Sequence, residues 1–113
     1  MNNLRSMSCT TPRKGEDSLS KTASEAYLPQ IPEWRIVEQD NLERLTREFK
    51  FKNFVEALKF TNLIGELAEQ EDHHPAILTE WGRVTVTWWT HAVNGLHLND
   101  FITAAKTDQI YTS

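Results

Sequence analysis

From Ile31 onward the hydrophobic positions change their spacing several times, and each change marks an element. Trp34 to Glu38 is a short β-rich run, and Asn41 supplies a turn before a second run from Arg44 to Phe51. In that second run Leu45, Phe49 and Phe51 share one parity, while Arg44, Thr46, Glu48 and Lys50 take the other. This period of two predicts a half-buried strand paired with the first in a hairpin. Arg47 interrupts the apolar parity and is read as a sheet-edge residue.

Asn53 followed by Glu56 has the capping-box pattern, so a helix is predicted to start there. Phe54, Ala57, Leu58, Thr61, Ile64, Gly65 and Ala68 then recur at helical spacing, flanked by Phe60 and Leu67, through about Glu69. Gly65 weakens a helix by about 1 kcal/mol relative to alanine, which predicts close approach to a neighbouring strand. A second hairpin is predicted from Ile77–Trp81, a turn at Gly82, and Arg83–Thr90. Val84, Val86 and Trp88 face one way; Thr85, Thr87, Trp89 and His91 face the other. Asn94-Gly95 turns the chain into a closing amphipathic helix that ends near Tyr111, with His97 and Asp100 spaced as its capping box. The order β-β-α-β-β-α predicts an α+β fold. It is a single domain, a four-stranded antiparallel sheet with two main helices packed on one face.

Residues 1–24 are rich in serine, threonine, lysine and asparagine and poor in large apolar side chains, which predicts a disordered or loosely docked arm before a domain spanning 25–113. Ser24 to Leu28 has the composition of one short N-terminal helical turn, stopped by Pro29 and Pro32. The 113 residues suit one core. With 12 basic and 16 acidic residues, and no basic block, direct nucleic-acid binding is disfavoured. No apolar run is long enough for a membrane span, and the first residues lack the apolar centre of a secretion signal, so a cytoplasmic protein is expected. The single cysteine, Cys9, cannot form an internal disulfide.

The candidate chemistry is histidine chemistry. His73, His74 and His91 bracket the second hairpin, and strands running out and back return the third toward the first two. Imidazole gives or takes a proton near neutral pH, which suits general acid/base work on a heteroatom-rich ligand. A lone histidine more often caps a turn, but a His-His-Pro run is less ordinary, because Pro75 stiffens the segment presenting both rings. Zinc is the rival ligand for three imidazoles. Adjacent side chains in extended chain diverge, however, which disfavours one metal holding both His73 and His74. Glu69, Glu71 and Asp72 are either orienting partners for the imidazoles or the solvated end of a helix. Trp88 belongs to the core parity, leaving Trp81 and Trp89 as candidate surfaces on which a bicyclic heteroaromatic ligand could stack.

These residues carry a resemblance. Glu69-x-x-Asp72-His73-His74-Pro75, then Trp81, Val84, Thr90-His91, Gly95-Leu96 and Asp100, with the Ile31-Pro-x-Trp34 entry and Phe51-Lys-Asn-Phe54, resemble the pterin-4a-carbinolamine dehydratase family from Ile31 to about Gln109. The resemblance implies dehydration of 4a-hydroxytetrahydropterin to quinonoid dihydropterin, in the recycling of a hydroxylase cofactor. It implies no metal and no organic cofactor. It also implies a catalytic set of His73, His74 and His91, with His74 and His91 preferred as acid and base and His73 as binder and orienter. Glu69, Pro75 and Thr90 join Trp81 and Trp89 as expected substrate contacts. A homo-oligomer, dimer or tetramer, is expected, since a four-stranded sheet leaves unpaired edges. Some family members serve as dimerisation partners of a transcription factor, which makes an interaction module the alternative function. Two departures stand out: Ala92 where many members are acidic, and His97 where many carry Thr or Ser.

Overall fold

The computed structural model describes residues 3–113. Arg35–Gln39 (β1) and Leu42–Lys50 (β2) form an antiparallel hairpin across Asp40 and Asn41, whose φ values of 54° and 63° are those of a tight primed turn. Phe54–Glu71 (α2) follows, then Ala76–Glu80 (β3), Arg83–Trp88 (β4) and Leu98–Tyr111 (α3), with Lys21–Tyr27 forming a short α1 ahead of the sheet. The sheet has four antiparallel strands in the order β1-β2-β4-β3, so β1 and β3 are its edges. Both long helices pack on one face and touch each other. The predicted element order and layer arrangement are what the structure has.

Helix α2 starts where Asn53 Oδ1 accepts the Glu56 N–H at 2.9 Å. Only that half of the expected capping box is made, since the Glu56 carboxylate turns to Lys59 at 4.0 Å. Ala57, Phe60, Ile64, Leu67 and Ala68 are buried, whereas Phe54 and Leu58, assigned to the same apolar face, are exposed. The space beside Gly65 is open, with nothing within 4 Å of where a Cβ would sit. The predicted close approach to a strand is therefore absent, and Gly65 is not required by packing within the chain.

Arg47 is also not at an edge. It lies in β2, an interior strand, opposite Val86. Its guanidinium sits 2.7 Å from Asp108 on α3 and stacks over Phe49 and Tyr111, while Trp34 Nε1 donates to the same carboxylate oxygen at 2.7 Å. Burial raises the carboxyl of Asp108, and Trp34 and Arg47 only partly offset that. A charge on the apolar parity is thus explained by a pin joining α3 to the sheet.

The arm differs most from expectation. Leu4 is fully buried within the main core cluster, and Met7, Cys9 and Leu19 pack against that cluster. The Leu4 N–H donates to Gln30 Oε1 at 2.9 Å, and the Leu19 N–H to the Leu96 carbonyl at 2.8 Å. A few well-placed apolar residues suffice for docking because backbone hydrogen bonds fill the gaps between them. Packing continues well before residue 25, so the arm is not separated from the core at that boundary.

Candidate active site

The end of α2 sets up the site. Asp72 adopts the left-handed conformation (φ 51°), and the His73 N–H donates to the Ala68 carbonyl at 3.1 Å, which closes the helix and swings the chain toward β3. His73 and His74 therefore leave in a stretched segment with their rings in different surroundings. The strand register pairs Ala76 with Thr87, so the residues just before β3 and just after β4 lie at the same end of the hairpin. The structure thus brings His91 to the end that holds His73 and His74.

His73 is the inner ring. It stacks on Trp88 with centroids 5.4 Å apart and planes 23° from parallel. Its Nε2 lies 2.6 Å from Asp100 Oδ1 on the first turn of α3. Asp100 is 0% exposed, and its other oxygen accepts the Thr90 hydroxyl at 2.8 Å and the His97 N–H at 2.9 Å. A carboxylate ringed by donors can only accept, which places the His73 proton on Nε2. That leaves Nδ1 as the nitrogen not engaged by Asp100.

His74 is the outer ring. Its side chain is 56% exposed, and its Nε2 lies 2.5 Å from Oε2 of Glu69, itself 79% exposed on the last turn of α2. His91 is exposed as well, at the start of a single 3-10 turn, His91–Val93, that follows β4. Two solvent-facing imidazoles beside one locked imidazole form an arrangement able to exchange protons on one side and hold a ligand on the other.

The remaining candidates divide. Pro75 stands next to His74 and is half-buried. The Thr90 hydroxyl is committed to Asp100 and Thr90 is buried, so it supports the site rather than facing a ligand. One face of Trp89 is covered by the guanidinium of Arg44 at 4.1 Å, which removes that face as a stacking platform. Trp81 lies at the β3–β4 turn, at the opposite end of the hairpin from the histidines, and is 69% exposed. It is not part of this cluster. Among the described residues no three side chains of metal-binding type converge on one point.

Asp100 was read as a helix cap, and it is one: His97 Nδ1 accepts the Asn99 N–H at 3.0 Å and Asp100 returns the bond to the His97 N–H. Its second role, as partner of His73, has only a tertiary signal. Glu71 and Asp72 do not themselves pair with an imidazole. Glu71 Oε1 accepts the Cys9 N–H at 2.9 Å and Oε2 lies 3.2 Å from Lys106 Nζ. Burial raises the Glu71 carboxyl, yet these two donors outweigh it and hold the group below its ordinary value. Burial, with Glu71 next to it, pushes the Cys9 thiol up to about 12, which keeps it an unreactive thiol at neutral pH.

The family model described as pterin 4 alpha carbinolamine dehydratase matches residues 17–110. A Nitrosococcus oceani protein provisionally named pterin-4-alpha-carbinolamine dehydratase is 54% identical over 110 residues, covering 97% of each chain. A Chlorobium luteolum protein of the same provisional name is 50% identical over 111 residues, covering 98% of this chain and 97% of its own. Among solved structures, a transcriptional coactivator/pterin dehydratase from Brucella melitensis superposes with a TM-score of 0.74 at 34% identity, over 83% of this chain and 98% of its own.

Proposed function

The chain belongs to the pterin-4-alpha-carbinolamine dehydratase family, and on that premise we propose that it converts 4a-hydroxytetrahydropterin to quinonoid dihydropterin and water. The reaction would return cofactor oxidised by an aromatic amino acid hydroxylase. The observation that carries this reading is the pair of adjacent imidazoles with separate carboxylates, His73 on Asp100 and His74 on Glu69, at the hairpin end to which His91 returns.

Dehydration breaks the C4a–O bond and forms the C4a=N5 double bond. The departing hydroxyl must receive a proton, and N5 must give one up, so an acid and a base have to flank the same bicycle. His74 and His91, both open to solvent, are the proposed proton carriers. His73 binds and orients, because its stacking on Trp88 and its bond to Asp100 leave one nitrogen to address the pterin. Glu69 keeps His74 pointed, and Pro75 and the uncovered face of Trp89 remain proposed contacts at the rim.

The same proposal includes a homo-oligomer. Phe54, Val55, Leu58 and Leu63 on α2 and Leu78 on edge strand β3 are exposed apolar side chains that a second copy could cover. These residues also support the alternative reading, an interaction module for a transcription factor, in line with the coactivator named in the Brucella structure. No helix among the described residues is long and apolar enough to cross a membrane. A cytoplasmic setting is part of the proposal.

The test is turnover of chemically generated carbinolamine in excess chelator, with light scattering on the same sample. We expect dehydration well above the uncatalysed rate by an oligomer. A rate equal to buffer, or activity that dies in chelator and returns with zinc, would contradict the imidazole mechanism.

A further inference from the structure

The arm reaches the site from behind. Asn99, the residue before Asp100, uses its side-chain amide to pair with the backbone of Thr10: Oδ1 accepts the Thr10 N–H at 3.0 Å and Nδ2 donates to the Thr10 carbonyl at 2.7 Å. Asn99 is 2% exposed, so its side of both bonds is sheltered from water. One residue earlier in the arm, the Cys9 N–H donates to Glu71, two residues before His73. Further along, Glu16 pairs with His97 Nε2 at 3.3 Å, and Ser18 Cβ would lie 3.0 Å from a Cβ on Gly95, a close approach that only glycine permits without displacement. The arm thus holds the last turn of α2 through Glu71 and the first turn of α3 through Asn99 and His97. His73 follows directly on the first of these turns, after Asp72, and Asp100 lies on the second.

We propose that the N-terminal arm is a positioning element of the active site, in which Asn99 and Glu71 couple its backbone to the His73–Asp100 pair. The inference rests on the dehydratase reading. It goes beyond the family match, which begins at residue 17 and leaves Cys9 and Thr10 outside. The physical reason is that the side-chain bonds linking the end of α2 to α3 here are Glu71 to Lys106 at 3.2 Å and His73 to Asp100. A hydrogen bond of 2.6 Å between His73 and Asp100 survives only if two helix ends keep their spacing. Backbone-to-side-chain bonds from a third segment, anchored by the buried Leu4, set that spacing without touching substrate.

The test compares Asn99→Ala, Glu71→Ala and Glu71→Gln with wild type in the carbinolamine assay, at a temperature where circular dichroism shows every variant folded. Gln at position 71 keeps an acceptor for the Cys9 N–H. Amide hydrogen exchange at the first turn of α3 is measured in parallel. We expect both alanine variants to raise KM roughly 10-fold with kcat within about twofold, as for a displaced binding group, together with faster exchange at Asp100. Glu71→Gln should stay within about threefold of wild type, because the arm bond is retained. Unchanged KM in both alanine variants would overturn the proposal, as would a loss confined to kcat, or Glu71→Gln falling as far as Glu71→Ala. Wild type without turnover would instead sink the dehydratase reading, and the exchange data alone would then decide whether the arm orders the turn.

Discussion

His73 and His74 are neighbours in the chain with opposite surroundings. The first is wedged between Trp88 and a fully buried aspartate, with its side chain 11% exposed; the second lies in solvent against an exposed glutamate. The contrast arises just after Asp72, whose left-handed turn ends the helix and lets the two rings find separate carboxylates, His73 on Asp100 and His74 on Glu69. One imidazole is fixed by tertiary structure and the other is free to exchange protons with water. A single dipeptide therefore presents one held and one exposed imidazole, which the proposed mechanism uses as binder and proton carrier.

The largest effect is expected on the fixed side. Asp100→Ala leaves the Thr90 hydroxyl, the His97 N–H and His73 Nε2 without their shared acceptor in the interior. A cost of about 3 kcal/mol in stability is expected, by analogy with breaking a buried charged network. Chemical denaturation checks it, and a cost no larger than that of Glu69→Ala would erase the distinction between the two histidines. A second prediction concerns pH. Glu71 is held below its ordinary value of 4.5, so its contribution to stability is present above that pH and is lost as the pH falls through the lower folded value. Wild type should therefore melt higher than Glu71→Gln at neutral pH, and the difference should shrink in acid. A gap independent of pH would show that the Glu71 charge, paired with Lys106, is not the source of that stability. The smallest effect lies away from both rings: Gly65→Ala, with open space beside it, should stabilise the chain by about 1 kcal/mol. A decrease in melting temperature would place a second copy against that helix face.

Much of the fold was legible because its signals are local. Period-two alternation marked β2 and β4, the Asn53 and His97 caps marked the helix starts, and Asn41 marked a hairpin turn. The three histidines could be grouped from topology alone, since a hairpin returns its second strand to the start of the first. What escaped was tertiary. Arg47 was misread because its partner Asp108 is on another element, and the Gly65 reading required a neighbour that is not there. The arm was misread because composition counts apolar residues, whereas Leu4 is one residue in the right place and Asn99 and Glu71 do the rest through backbone bonds. Trp81 was grouped with the histidines by hairpin membership, though a strand's length separates the two ends.

In the proposed mechanism the exposed imidazoles move protons and the inner one holds the pterin. Steady-state kinetics on His73→Ala, His74→Ala and His91→Ala test it most directly, by how each variant divides its loss between kcat and KM. His74→Ala and His91→Ala should each lose roughly 100-fold or more in kcat with folding intact, within the range for loss of a general acid or base, while His73→Ala should raise KM and lower the melting temperature. The opposite division, with His73→Ala losing only kcat and the two exposed variants turning over like wild type, would contradict it.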